Sequence, residues 1–380
     1  MTTRREFLKG LLAGLALTAM DPCEVLAAPK QGGRPLLVAV HLTGGNDALN
    51  TLVPFRSEMY RSARPNLALS GKNLLSTEKG LALHPTLSRL HQRWEQGQAL
   101  LVAGVGREDH DRSHFRASDI LHGAGDPGGD GWMAKLAQRL GTTPVSFGST
   151  VSRAVACPDH PPVGLVSDEP PTFPGDDSVR RAWFRMFGDW SPQHSAALKL
   201  KKSAQIVEEV SARLDGQMSK VKIRHRFAGD EFGKRFELAY RLVAGGYPAQ
   251  VMHLSAGKFD THSGQLSAHA NQLEQFDRAS DAFLKNMKTS DRRVTVLVYS
   301  EFGRRVAENY SGGTDHGAGG LAWLVGDNVR GGVSGEYKLD DLRDGDLPTV
   351  IDYQDLYAEA VTASFGESHA EAMFGKTRLG

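Results

Sequence analysis

Four near-continuous apolar runs constrain this chain more than any other feature. They are residues 36–42, 100–103, 251–254 and 294–299. An unbroken apolar run, rather than one of alternating polarity, is the pattern of a strand buried on both faces. Stretches of helical spacing separate the runs. Residues 85–96 place Leu87, Leu90 and Trp94 on one face, and residues 232–244 stop at Gly245-Gly246. Residues 265–288 direct Leu266, Leu273, Phe276, Phe283 and Met287 inward, and residues 352–365 form a closing helix. Shorter helices are predicted from Ser113 through Leu121 and over 130–140, and a further strand over 321–325. Strands alternating with helices imply βαβ units. The predicted fold class is therefore α/β, a mostly parallel central sheet with helices on both faces.

The middle of the chain breaks this rhythm. Residues 155–175 are proline-rich without a period and read as a long surface loop. Residues 176–229 are helical in pattern, with Trp183, Phe184 and Phe187, then Ile206, Val207, Val210, Leu214 and Met218 at helical spacing. Together, about 155–229 form a loop-plus-helical insertion, packed as a cap on the sheet. The basic stretch 220–226 reads as a solvated face.

The N-terminus carries a processing signal. Thr3-Arg4-Arg5-Glu6-Phe7-Leu8-Lys9 is a twin-arginine pattern, followed by an apolar stretch over 11–20 and by Val25-Leu26-Ala27 at the cleavage positions. Residues 1–28 are expected to be a signal peptide and 29–380 the mature domain. The expected partner during export is the twin-arginine translocation machinery, which carries folded proteins. The expected location is periplasmic or secreted, without a stable membrane anchor. The mature chain keeps one cysteine, Cys157, so no internal disulfide forms. With 45 Lys and Arg against 44 Asp and Glu, net charge argues against a nucleic-acid partner.

Three polar motifs stand beside the apolar runs. Phe259-Asp260-Thr261-His262 follows the third run, and Ser300-Glu301-Phe302-Gly303-Arg304-Arg305 follows the fourth. Gly313-Thr314-Asp315-His316-Gly317 occupies a Gly-rich turn before 321–325. In open α/β sheets, ligands bind outside the carboxyl ends of strands. Singly, such residues are ordinary turn formers. Together they bring two Asp, two His and a Glu to one edge, and imidazole with carboxylate suits Zn²⁺ or Mn²⁺. Ser113 opens a helix, either as a plain N-cap or as a nucleophile beside N–H groups that hold an anion. No Gly-x-Ser-x-Gly elbow surrounds it. Gly44-Gly45-Asn46-Asp47 has neither the dinucleotide glycine order nor a Walker lysine. Arg304 and Arg305 either clamp an anion or pair with carboxylates to hold their loop.

On residues 42–50, Ser113-His114-Phe115, Gly131-Trp132, 259–265, 299–305 and 314–317, the chain resembles the domain of unknown function 1501 family. That resemblance implies an alkaline phosphatase/sulfatase-like fold. The superfamily hydrolyses or transfers phosphate and sulfate esters with a metal-activated Ser, Thr or formylglycine and one or two divalent metals. Carried over residue by residue, Thr43 stands where a metal-binding Asp is expected, with Asp47 four residues later. Ser113 matches the nucleophile, and Asp260 and His262 match an Asp-His set. Glu301-Phe302 replaces an Asp-His pair, and His316, with Asp315 beside it, matches the last histidine. One metal position is thus kept, while the one contacting Ser113 is altered at Thr43 and Phe302, so one metal site is favoured over two.

The expectation is a periplasmic metal-dependent hydrolase of phosphate or sulfate esters. Asp260, His262 and His316 bind a divalent metal, Zn or Mn, with Asp315 a further candidate ligand. Asp47 and Glu301 complete the site or act as base, Ser113 is the nucleophile and Arg304 an anion clamp. The alternative is a non-catalytic envelope protein of the same fold that binds an anionic glycan or a protein partner.

Overall fold

The first apolar run becomes β1 (Arg34–Leu42), near the middle of a nine-stranded sheet. The computed structural model describes residues 33–157, 162–166, 177–188, 191, 217–218 and 220–379. Successive β1 side chains enter opposite cores. Leu36, Val38, Val40 and Leu42 pack on one face, Leu37 and Ala39 on the other. Both faces are apolar, which is why the run hardly alternates.

β2 (Leu52–Val53), β3 (Leu75–Ser76) and β4 (Ala82–Leu83) form a small separate sheet. The large sheet adds β5 (Ala99–Gly106), β6 (Val145–Phe147), β7 (Val163–Leu165), β8 (Val251–Ala256), β9 (Arg292–Tyr299), β10 (Gly320–Gly326), β11 (Gly332–Gly335) and β12 (Ile351–Asp352). Its order is β11-β5-β10-β9-β1-β8-β6-β7, with β12 beside β5. All pairings in it are parallel except those of β10, which runs against both β5 and β9.

Helices cover both faces. Ser88–Glu95, Glu231–Ala244 and Gln265–Met287 lie on the first core. His114–His122, Trp132–Arg139, Tyr353–Phe365 and Glu367–Phe374 lie on the second. Local chemistry sets their starts: the Asp230 side chain accepts the N–H of Gly233 at 2.8 Å, and Asp352 that of Gln354 at 2.7 Å. Trp132 stacks on Tyr357 at 4.3 Å in the second core. The predicted α/β sheet is what the chain builds.

Two expectations require correction. Leu266, predicted to face inward, is 44 % exposed. In that first helical turn the inward position belongs to Gln265, whose amide bonds Thr261, Thr314 and Asp47. The stretch 155–175, predicted as loop, contributes the edge strand β7, paired with β6. Three-residue strands leave no visible period in a sequence. Within the insertion, the helix Asp177–Gly188 is described and Met218 is buried. The side chains of Trp183, Phe184 and Phe187, the positions Ile206, Val207, Val210 and Leu214, and the leader 1–28 lie outside the described residues. Among the described residues, no helix is long and apolar enough to cross a membrane.

Candidate metal centre

Parallel strands end together, so the loops after β1, β5, β8 and β9 meet at one edge of the sheet. The reversed β10 begins there too. Close approach of these loops depends on Gly44 and Gly45, with φ of +108° and +75°. A Cβ on Gly44 would stand 2.4 Å from the Asp260 nitrogen, and one on Gly45 2.3 Å from the Phe302 ring.

Arg304 is buried at this junction. Its Nε donates to the Gly45 carbonyl and its Nη1 to the Thr314 carbonyl, both at 2.8 Å. Nη2 donates to the carbonyls of Gly44 and Phe259 and, at 2.7 Å, to Asp260 Oδ1. One guanidinium thus ties the β1 loop to all three motifs. Of the two roles weighed from the sequence, this is the loop-holding one; the guanidinium is turned into the protein.

Three imidazoles converge on the same carboxylate oxygen. Nε2 of His316 and Nε2 of His262 each lie 3.0 Å from Asp260 Oδ1, and Nε2 of His114 lies 3.5 Å from it. The Nε2 atoms of His262 and His316 are 3.0 Å apart. Each ring is anchored through its other nitrogen. His114 Nδ1 meets Glu301 Oε1 at 2.7 Å, His262 Nδ1 meets Asp315 Oδ1 at 3.0 Å, and His316 Nδ1 meets the Arg112 carbonyl at 2.7 Å. Carboxylates and carbonyls only accept, so Nδ1 carries the hydrogen. A neutral ring then turns its Nε2 lone pair inward. Lone pairs gathered around a carboxylate require a cation among them, whether protons or a metal ion. His114, Asp260 and His316 offer ligand atoms within 4.8 Å of one another, and the donor set fits a divalent metal.

With protons and no metal ion among these groups, an Nε2–H donates to Asp260, and the electrostatics are those of that form. Partial burial pushes the Asp260 carboxyl up, but its bonds to Arg304 and His316 outweigh that and bring it down to about 2. The bond from His262, then that from Asn309, lowers Asp315. The Glu301 bond raises His114 against the effect of burial. Burial alone would raise Glu301, yet His41 and His114 hold it well below the usual carboxylate range.

The remaining predicted residues are distributed more widely. Asp47 caps the helix Ala48–Thr51, buried, with Oδ2 on Arg64 Nη1 at 2.6 Å and on the Gln265 amide. Its carboxylate serves that ion pair, apart from the three histidines. Thr43 Oγ1 turns to the Gly257 carbonyl at 2.7 Å. Phe302 is buried under the centre, its ring centroid 4.9 Å from that of His114 and 4.6 Å from that of His316. Ser113 is the exposed N-cap of His114–His122, and its hydroxyl makes no cap bond. His114 itself went unassigned in the sequence, although it adjoins Ser113. Also unassigned were His41, which pairs with Glu301, and Asn309, which bonds Asp315. Beside the 107–112 loop opens a cleft of about 310 Å³, lined by Arg107, His110, Ala318, Arg343, Asp346 and Thr349 among others.

A family described as "Protein of unknown function (DUF1501)" matches residues 175–377, more than half of the 380-residue chain. The chain belongs to this family. The DUF1501 segment contains Asp260, His262, Glu301, Arg304, Asp315 and His316, whereas Ser113 and His114 precede it. A search of curated proteins returns no match. Among solved structures, the DUF1501 chain is similar to the alkaline phosphatase of the Antarctic bacterium TAB5, at 8% identity over 88% of this chain and 99% of that one, with a TM-score of 0.40. It is similar to the C-terminal periplasmic domain of EcEptC from Escherichia coli in complex with Zn, at 7% identity over 79% and 75%, with a TM-score of 0.35. It is also similar to the integral membrane lipooligosaccharide phosphoethanolamine transferase A from Neisseria meningitidis, at 10% identity over 93% and 60%, with a TM-score of 0.38.

Proposed function

We propose that this DUF1501 protein is an exported hydrolase of phosphate or sulfate esters that works with one divalent cation, zinc or manganese. The observation carrying this proposal is the convergence of three anchored imidazoles on Asp260 Oδ1. Asp260, His316 and His114 would hold the cation, with His262 beside them. When bound, a divalent cation supplies Lewis-acid polarisation of a phosphoryl or sulfuryl oxygen.

The chain's own groups supply the rest. Ser113 offers an exposed, uncapped hydroxyl between Arg112, whose carbonyl holds His316, and His114. It is the proposed nucleophile. The first N–H groups of the helix His114–His122 favour an anion beside it. Arg112 and Arg305 add two partly exposed guanidiniums, both steadied by Asp346, with Arg112 Nη2 at 2.5 Å and Arg305 Nε at 3.3 Å. Phe302 stands where the resemblance leads one to expect a second metal-binding histidine, and its ring packs on His114 and His316, which favours one site over two. The cleft beside Ala318 would receive the rest of the ester. Export rests on the Arg4-Arg5 leader, with the twin-arginine machinery as partner and the periplasm as destination.

Elemental analysis of the purified exported chain, compared with His114→Ala and His316→Ala, tests the centre. About one bound zinc or manganese per chain, lost in both variants, supports it. A screen of phosphate and sulfate esters then follows, with Ser113→Ala as control. Absence of metal from folded, reconstituted wild type refutes the proposal. Bound metal without turnover on any ester reduces the centre to a structural one.

A further inference from the structure

We infer, resting on that centre, that Glu301 is a positioning residue acting on the cation site through His114. The sequence alone made it a ligand or a base. Its surroundings leave it neither task. The side chain is 3 % exposed. Oε1 accepts from His114 Nδ1 at 2.7 Å and from the Gly44 N–H at 2.8 Å. Oε2 meets His41 Nε2 at 3.0 Å and the Ser300 hydroxyl at 3.1 Å. A carboxylate offers about four lone-pair sites. Three of them face the N–H groups of His114, Gly44 and His41, and the Ser300 hydroxyl, whose one hydrogen is shared with the Leu42 carbonyl at 2.6 Å, covers the fourth, so a cation or substrate would have to displace buried protein groups to reach one.

The anchor behind Glu301 is as firm as the bond in front. His41 belongs to β1 and sits in the second core, its ring centroid 5.7 Å from that of Tyr299 and 5.0 Å from that of His122. His122 ends the same helix that His114 begins. The helix is therefore held at both ends by one group of side chains, and His114 has a fixed orientation before any cation arrives. The other two imidazoles are anchored differently. Asp315, behind His262, is 55 % exposed, and His316 rests on a loop carbonyl. Outer partners of this kind orient a metal-bound histidine and typically contribute about 10- to 100-fold in affinity.

The test titrates the mature full-length chain with Co²⁺ alone, reading affinity by chelator competition and ligand geometry by visible absorption. The proteins are wild type, Glu301→Ala, Glu301→Gln, His114→Ala and the double variant Glu301→Ala/His114→Ala. Glu301→Ala should weaken Co²⁺ about 10- to 100-fold and alter its visible spectrum. Glu301→Gln keeps an acceptor for His114 and should recover part of the loss. The double variant should bind no more weakly than His114→Ala, because Glu301 acts only through that ring. Wild-type affinity in Glu301→Ala overturns the inference. So do losses that multiply in the double variant, as they would for an independent ligand. If Glu301→Ala does not fold, Glu301→Gln with and without His114→Ala decides the same question. A wild type that binds no Co²⁺ retires the centre itself, whereas wild-type binding unmoved at Glu301 retires only this role.

Discussion

Arg64→Met should damage the fold more than any surface change, and the structure sets the size of the effect. Arg64 and Asp47 are both buried and pair at 2.6 Å. The guanidinium also donates to Asn50 Oδ1 at 2.9 Å and to the carbonyls of Val306 and Arg305, each at 2.8 Å. Methionine fills much of the volume and supplies none of these bonds. Leaving one buried charge without its partner costs about 3–5 kcal/mol. Asp47 retains only the Leu49 N–H and the Gln265 amide. Asp47→Asn in the same background removes the stranded charge, and the double variant should regain about 2 kcal/mol relative to Arg64→Met. The pH dependence should change as well. In the wild type, burial would raise the Asp47 carboxyl, but Arg64 holds it below its ordinary value. That stabilisation is present above the unfolded value and is lost as pH falls. Without Arg64, burial, the largest influence on this carboxyl, is opposed only by His269, Arg304 and the two retained hydrogen bonds, so the carboxyl should rise relative to wild type and the variant's deficit should shrink at low pH and grow as pH rises. Urea unfolding at pH 3.5, 5 and 8, followed by circular dichroism and with each variant referred to wild type at the same pH so that the histidine contributions cancel, measures both effects. A loss below about 1 kcal/mol, or no recovery in the double variant, would refute the argument. Metal content of Asp47→Asn provides a control: it should equal that of wild type, since this carboxylate stands apart from the histidines.

Other expectations follow from burial and backbone. Burial brings the imidazoles of His84 and His269 from 6.5 down to about 4. The unfolded chain then takes up protons that the fold refuses, so stability should be unaffected above about 6.5 and fall between there and about 4. The loss is roughly 3 kcal/mol per histidine, and His269→Gln should flatten the urea midpoint against pH, measured with chelator present. Gly45→Ala should lower the melting temperature by the equivalent of about 1–3 kcal/mol, from the positive φ and the Phe302 ring 2.3 Å from its new carbon. Leu266→Ser should change stability by no more than about 0.5 kcal/mol. Leu273→Ala, fully buried in the same helix, should cost about 2–5 kcal/mol.

The sheet was legible because a doubly covered strand has no polar side to interrupt its apolar run, as β1, β8 and β9 illustrate. The helices 231–244 and 265–287 were legible from spacing and from Gly245. β6 and β7 were not, because three residues are shorter than any detectable period. At the site, the motifs after β8 and β9 and before β10 announced themselves by composition. Orientation was hidden. Nothing in the sequence separates Asp260, which faces the cluster, from Asp47, which turns into a buried ion pair. Nothing tells whether a guanidinium such as Arg304 points out to an anion or in to four carbonyls. His114 carries no such signal in the sequence, because its partner Glu301 lies 187 residues away. Only the tertiary approach of the β5 and β9 loops gives that histidine a role.

The direction of β10 has a consequence for assembly. Running against its neighbours, it lets a residue upstream of a strand, His316, join groups downstream of strands, Asp260 and His114. It also fills the gap between β5 and β9, so without it the sheet is split in two. The ring of His316 rests on a carbonyl 204 residues earlier. A nascent chain halted just after His316 already carries every residue of the proposed clasp but lacks the wedge that closes the sheet. The three histidines can therefore be brought together firmly only after β10 has threaded between β5 and β9, so the proposed centre would form late in folding, not on the isolated β8 and β9 loops.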